Sequence, residues 1–372
     1  MRYFIIAGEK SGDLHGSNLI RELHRTDPDA AVFCWGGDLM QKAGAKLLKH
    51  YGKTSFMGFM AVLKNLPAIT RNFSECKKQL LETRPDVVIL IDYPGFNLRI
   101  ARFAKKAGFK VFYYISPKLW AWREGRVKKI KKYIDRMYII FPFEVEFYRK
   151  HGIEAHYFGN PLVDEIEKQT SMISESIGKK SIQDTDSRPV IALLAGSRRH
   201  EVELVLPRML EVVNQFPEYQ FVIAGVSTLP EDLYKNITGE IPVKLVIDRT
   251  YEVLANSTAA LVTSGTATLE TALMNVPQVV CYKGDFISML IAWLVIRVDY
   301  ISLVNLIMGK EVVKELVQYS LNKKNLAKEL LSILPGSPGR EKMLSDYAML
   351  REKLGKPGAS YKVAEDIVKN LI

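Results

Sequence analysis

The sequence predicts an α/β protein made of two Rossmann-like, doubly wound domains facing one another across a cleft. Three observations carry that prediction. Short unalternating apolar runs, such as the VVILI of "PDVVILIDYPGFN", alternate with helical patterns, as parallel strands buried on both faces do. The strand–turn–helix pattern of "RYFIIAGEKSGDLHGSNLIRELHR" returns as "RPVIALLAGSRRHEVELVLPRMLEVV" from Arg188, near the middle of the chain. Between the two, residues 168–188 are polar, Ser-rich and poor in core side chains, a linker with room for one short helix. The predicted division is 1–167, a linker over 168–188, 189–339, and C-terminal helices over 340–372 closing the molecule.

The elements follow in order. "RYFIIAG" opens the first half as a strand, with "EKSGD" as its turn and "LHGSNLIRELHR" as its helix. "VVILI", "FKVFYYISPKLWAW", "DRMYIIFPFE" and "AHYFGNPLVD" continue the strand-and-loop style. In the second half "VIALL", "EYQFVIAG", "VKLVIDR" and "AALVTSG" supply strands. "LVTSGTATLETALMNVPQVV" reads as strand, tight turn, helix and strand.

Composition narrows the function classes. With 372 residues, 48% of them apolar and 25% charged, the chain is globular and long enough for two ordinary domains. A net charge of +11 favours an anionic partner: a phosphorylated substrate, an anionic membrane surface or a nucleic acid. Three widely spaced cysteines without a C-x-x-C pair argue against a disulfide framework or structural zinc, and for a reduced cytoplasmic setting. The six histidines show no H-E-x-x-H spacing, so no protein-bound metal is expected. "DTD" at 184–186 mimics the acidic motif of metal-dependent glycosyltransferases but follows no strand. The apolar run after Arg2 ends at Ala7, too short for a signal-peptide core. The stretch 286–309 is broken by Arg297 and Asp299, short of the roughly 20 apolar residues needed to span a bilayer.

Ligands of doubly wound sheets sit beyond the carboxyl ends of the strands. That rule selects Ser11, Gly12 and Asp13, then Asp92 and the loop 116–122, in the first half. In the second it selects Gly196, Ser197 and Arg198, then the loop 264–270. Each has a plainer reading. "AGEKSGD" lacks both Walker and G-x-G-x-x-G spacing and could be an ordinary turn capped by Asp13. In "LAGSRRHEVE" a helix start and Arg198 suit a phosphate, or a solvated surface turn. In "SGTATLE", Gly265 lets the backbone approach an anion, Thr266 and Thr268 add hydroxyls, and Glu270 suits vicinal ribose hydroxyls; alternatively Ser264 caps the helix and Glu270 complements its dipole. Asp92, at the end of a buried strand beside aromatic residues, suits a general base with a raised pKa, or a turn cap. The basic run 122–136 with seven Lys and Arg suits an anionic surface or a solvated helix face. The segment 57–69, with Met57, Phe59, Met60, Val62, Leu63 and Leu66, suits a lipid-facing helix or a core one.

Together "AGEKSGDLHG", "DYPGFN", "SPKLWAWREGRVKKI", "PFEVEFY", "GNPLVD", "AGSRRHEVE", "SGTATLE" and "DYISLVNLIMGKEVVKEL" resemble, in order over residues 1 to about 335, the lipid A disaccharide synthase family. The resemblance implies the GT-B fold, no required cofactor or metal, and an inverting transfer. Diacylglucosamine moves from UDP-2,3-diacylglucosamine to the 6-hydroxyl of 2,3-diacylglucosamine 1-phosphate. It implies Asp92 as base, an acceptor side shaped by Ser11, Gly12 and Asp13, and a nucleotide-sugar site with Gly196, Ser197, Arg198, Ser264, Gly265, Thr266, Glu270 and Asn305. It implies acylated substrates and peripheral attachment to the cytoplasmic face of the inner membrane, oligomeric or not; the apolar segment 57–69 and the basic segment 122–136 together suit that membrane contact. Gly95, Ala195, Asn160 and Val304 depart from the family pattern, and Gly95 bears on acyl or acceptor contacts. The rival readings are another UDP-sugar enzyme of this fold, an epimerase or a peptidoglycan glycosyltransferase, and a nucleic-acid binder suggested by charge alone.

Overall fold

A computed structural model describes residues 1–53, 66–120, 124–176, 186–284 and 299–372. The chain forms two compact units, Met1–Asp164 with Lys356–Ile372, and Glu165–Gly355.

The first unit is a parallel sheet of β1 (Arg2–Ala7), β2 (Ala31–Gly36), β3 (Lys46–His50), β4 (Val87–Ile91), β5 (Lys110–Tyr114), β6 (Arg136–Ile139) and β7 (Ala155–Tyr157), in the order β3-β2-β1-β4-β5-β6-β7. Alternate residues of each strand point to opposite faces, and both faces are covered. Tyr3, Ile5 and Ile89 pack with Leu19, Ile20 and Leu23 of helix Lys10–Thr26. Phe4, Ile6, Val88 and Leu90 pack with Cys76 and Leu80, with Ile100 and Ala104 of helix Pro94–Lys106, and with Val127 and Ile130 of helix Val127–Tyr133. This two-sided burial is why the strands read as continuous apolar runs.

The second unit repeats the plan with β8 (Val190–Leu194), β9 (Gln220–Gly225), β10 (Val243–Ile247), β11 (Ser257–Thr263), β12 (Gln278–Tyr282) and β13 (Lys314–Val317), in the order β10-β9-β8-β11-β12-β13. Counted within each unit, the order is 3-2-1-4-5-6, with a seventh strand at the edge of the first sheet, and it reverses direction between the first and fourth strands. Ligands of such sheets bind at that switch point. It lies between β1 and β4 in the first unit and between β8 and β11 in the second.

The boundaries differ from the sequence prediction. Helix Pro161–Ser176 occupies the first half of the expected linker. The C-terminal helices do not form one closing segment. Pro338–Leu354 belongs to the second unit, whereas Ala359–Lys369 crosses back and packs on Lys10–Thr26 in the first. Asp164 caps this last helix, accepting from the amides of Gly358 at 2.6 Å and Ser360 at 3.0 Å. Asp366 on it takes both Nε and Nη2 of Arg136. Its apolar face, Val363, Ala364 and Ile367, is core; truncating Ile367 to Ala costs about 2–5 kcal/mol. The last third of the apolar stretch 286–309 is also core, since Leu303, Val304 and Ile307 are buried.

Candidate active site

At the first switch point the loops after β1 and β4 touch. Gly8 lies so close to the ring of Tyr93 that a Cβ there would sit 2.3 Å from it. Asp92 and Tyr93 have φ of 40° and 47°, two successive left-handed residues without glycine. Such strain persists only where the surroundings hold it, and here they do. The Asp92 amide donates to the carbonyls of Tyr114 and Ile115. Its carbonyl accepts from Asn97 Nδ2 at 2.8 Å and from the Tyr113 hydroxyl. The main chain is pinned on both sides of the carboxyl-bearing Cα.

That carboxyl is pushed up to about 7, first by burial and then by the Glu9 carboxylate, while Lys118 pulls the other way. A carboxyl poised near neutrality at a strand end suits a general base. Ser11 is exposed and donates to Glu9 Oε1 at 2.9 Å, so it belongs to this rim. Gly12 is buried, facing Ala7 across the strand–helix contact.

Asp13 requires a correction. Its carboxylate is buried and turned to the neighbouring loop after β2. It accepts from the amides of Gly37 at 2.8 Å, Leu39 at 3.1 Å and Met40 at 3.1 Å. It caps the start of helix Asp38–Lys42, not its own turn, and both of its oxygens are engaged by main-chain donors. Its place is structural.

The loop after β5 is organised by a residue that the sequence does not single out. Glu144, fully buried in helix Pro142–Lys150, accepts from the Ser116 hydroxyl and from Trp120 Nε1 at 3.2 Å. It also accepts from the amides of Ile140 and Phe141. Burial raises it to about 7, and those four donors hold it down against that push. Lys118 projects from the same loop and is exposed. An acid at the third helical position of "PFE" hints at a carboxylate bonded to its own helix start; its partner 28 residues away was not legible.

At the second switch point the two helix starts differ. Gly196 has φ of 109°, and beyond it the Ser197 and Arg198 amides both donate to Glu201 Oε2, at 3.1 and 3.3 Å. Arg198 Nη1 pairs with Glu201 Oε1 at 2.8 Å. The amides expected to meet a phosphate are thus taken by the chain's own carboxylate, in a capping box. Helix Thr266–Leu273 has no side-chain cap. Gly265 leaves open space where a side chain would stand, and Thr266 is exposed. Ser264 does not cap this helix; its hydroxyl donates to the Ile301 carbonyl at 2.9 Å. Thr268 is buried and donates to the Gly265 carbonyl.

Glu270 sits half-buried in this helix and accepts from the Tyr251 hydroxyl at 2.9 Å. Burial raises its pKa, the Tyr251 hydrogen bond lowers it, and the Glu165 carboxylate raises it again.

Asn305 is the second correction. It is fully buried and its amide is spent inside the fold. Oδ1 accepts from the amides of Val312 at 2.7 Å and Val313 at 3.0 Å. Nδ2 donates to Val313 O and to Glu315 Oε1. Glu315 in turn accepts from the amides of Ile301 and Ser302, and Ile301 carries the carbonyl that anchors Ser264. Asn305 therefore supports the Ser264 turn from behind, with its side-chain amide bonded within the fold.

Met57, Phe59, Met60, Val62 and Leu63 lie outside the described residues, as does the side chain of Leu66. Helix Val127–Tyr133 buries Val127 and Ile130 and exposes Lys128, Lys129, Lys131 and Lys132. Gly95 stands in open space at the start of helix Pro94–Lys106. Asn160 is a buried cap, accepting from the Leu162 amide and donating to the Ile140 carbonyl. Among the described residues no three His, Cys, Asp or Glu side chains are grouped as a metal site requires, and no helix is long and apolar enough to cross a membrane.

Comparison with known proteins decides the family. The model of the lipid-A-disaccharide synthetase family matches residues 3–368. The chain belongs to that family. Curated lipid-A-disaccharide synthases from Trichlorobacter lovleyi and Syntrophus aciditrophicus are 39% and 40% identical to it, covering 98% and 97% of this chain and 96% and 95% of theirs. As a member of the lipid-A-disaccharide synthetase family it is a glycosyltransferase of lipid A biosynthesis. Its two parallel-sheet domains are those of the GT-B class. A UDP-GlcNAc 2-epimerase from Neisseria meningitidis, solved with UDP-GlcNAc, has the same fold, with a TM-score of 0.71 at 14% identity over the full length of both chains.

Proposed function

We propose that the first unit presents the acceptor to Asp92 and the second holds the nucleotide of the donor, so that the chain joins two diacylglucosamine units into the β-1,6 disaccharide 1-phosphate. The observation carrying this reading is Asp92: a carboxyl titrating near 7, on a strained, fully pinned turn at the switch point of the first sheet. Asp92 takes the proton from the acceptor 6-hydroxyl as that oxygen attacks the anomeric carbon of the donor. The bond to UDP breaks on the opposite face, which inverts the configuration, and its electron pair leaves on the diphosphate.

The leaving charge is met by the uncapped start of helix Thr266–Leu273, whose amides and dipole favour an anion, and by Arg198. Such preorganised donors do the work a metal performs elsewhere. Glu270 takes the ribose hydroxyls. Glu201 competes with the diphosphate for the donors of the Ser197–Arg198 turn. The four outward lysines of helix Val127–Tyr133 meet anionic headgroups, worth about 1 kcal/mol each near the surface, and bring the enzyme to acylated substrates.

Asp92→Asn tests the reading. Turnover should fall by about 10²–10⁴-fold with the UDP dissociation constant unchanged by calorimetry. Wild-type turnover in that variant removes Asp92 from the chemistry.

A further inference from the structure

The Glu270 carboxylate is not placed by its own helix alone. A phenol from a separate helix, Thr250–Ala255 after β10, reaches across to it at 2.9 Å. We propose that Tyr251 is a positioning residue for the nucleotide site, holding Glu270 ionised and turned so that its second oxygen faces the ribose hydroxyls of a uridine nucleotide. This rests on the assignment of Glu270 to the ribose.

The chemistry requires such a partner. Two ribose hydroxyls donate best to a charged carboxylate, yet Glu270 is in surroundings that favour the neutral acid. Burial is the largest effect, and the buried Glu165 of helix Pro161–Ser176 adds a like charge. Among the described residues, no cation is among the groups that act on the Glu270 carboxyl. Helix Leu303–Met308 has no titratable side chain and β11 has none. From β12 come the buried Cys281 thiol, itself pushed up by burial, and Tyr282. Helix Pro338–Leu354 offers Arg351, which donates to the Leu273 carbonyl at the far end of the helix, and Asp346, which is held by Lys310. On Tyr251's own helix, Glu252 is engaged by Arg249. Tyr251 is what opposes the protonation of Glu270.

Tyr251 is suited to that task because it cannot change role. Its own pKa is driven well above the ordinary phenol value by burial and by Glu270, so it is a donor at every working pH. A donor fixed on one carboxylate oxygen also fixes the plane of the group, leaving the other oxygen for the ligand. Substituting Phe keeps the ring and removes the donor.

Glu270 binds ribose as the carboxylate, so affinity is full above its pKa and falls as pH drops through it. Losing Tyr251 moves that pKa up. At a pH below it, a raised pKa lowers the ionised fraction, and with it the affinity.

Calorimetry on the full chain, with UDP and 2′-deoxy-UDP from pH 5.5 to 8.5, tests the proposal in wild type, Tyr251→Phe and Glu270→Gln. In wild type, UDP should bind about tenfold tighter than 2′-deoxy-UDP. Tyr251→Phe should lose UDP affinity from a higher pH than wild type, bind UDP more weakly than wild type at the acid end, and discriminate less between the two nucleotides. Its affinity should approach wild type at the alkaline end, which a misfolded pocket would not do. If Tyr251→Phe keeps the wild-type pH dependence and discrimination while Glu270→Gln loses both, Tyr251 has no positioning role. If Glu270→Gln itself binds both nucleotides like wild type, the ribose assignment fails, and the proposal with it.

Discussion

Glu9→Gln should move the acid limb of the rate profile to lower pH. Asp92 is raised from the ordinary 3.8 to about 7, with the Glu9 carboxylate the second cause after burial. A base works when deprotonated, so in wild type kcat/KM should rise about tenfold per pH unit below about 7 and level off above it. Removing the neighbouring negative charge makes ionisation easier, so the limb moves down while the plateau changes little. The same perturbation bears on stability. A carboxyl raised on folding stabilises nothing extra below its unfolded pKa. It costs stability as pH climbs from about 4 to 7, and the full cost persists above 7. A rise of this size corresponds to about 4 kcal/mol at most. Asp92→Asn should therefore melt higher than wild type at pH 8, by the equivalent of about 1–4 kcal/mol, and converge with it near pH 4. The assays are initial rates at subsaturating acceptor from pH 5 to 9 and thermal unfolding from pH 4 to 9. An acid limb that stays in place in Glu9→Gln, together with an Asp92→Asn protein less stable at pH 8, would refute the claim that Asp92 is a strained, partly neutral base.

Glu201→Gln should tighten UDP binding a few-fold by calorimetry, because the competing charge is gone, and Arg198→Ala should weaken it by about 10-fold, the scale of one charge-assisted hydrogen bond; weaker binding in the first variant would mean that Glu201 builds the site. Glu144→Ala should raise the KM for acceptor while leaving UDP affinity alone, since Glu144 holds the Ser116–Trp120 loop of the first unit; a change in UDP affinity instead would contradict this. Replacing Lys128, Lys129, Lys131 and Lys132 with Gln should abolish co-sedimentation with anionic vesicles at low salt and make no difference at high salt; sedimentation like wild type would leave these lysines a solvated face.

The position of the candidate site was legible because the fold rule is positional. An unalternating run, VVILI, ending in Asp92 announces a strand end, and strand ends at a switch point carry ligands. The turn at Ser264–Gly265–Thr266 was legible for the same reason, through Gly265 at a helix start. What misled was treating each polar residue as available. Asp13 lies close to Ser11 in sequence, but its partners are the amides of 37–40, which no local pattern reveals. Asn305 sits in a recognisable motif, yet its amide is consumed by Val312, Val313 and Glu315. Glu201 stands three residues after Arg198, the spacing of a capping box, and its carboxylate takes the amides of Ser197 and Arg198. Glu144 with Ser116 and Tyr251 with Glu270 join separate loops, and such pairs appear only once the sheet has brought its strand ends together.

The transfer itself is tested most directly by mass spectrometry of the products formed from UDP-2,3-diacylglucosamine and 2,3-diacylglucosamine 1-phosphate, with excess EDTA present. The expected result is one disaccharide 1-phosphate and one UDP per turnover, undiminished by the chelator. UDP released without a disaccharide, an epimerised UDP-sugar, or loss of product on adding EDTA would contradict it.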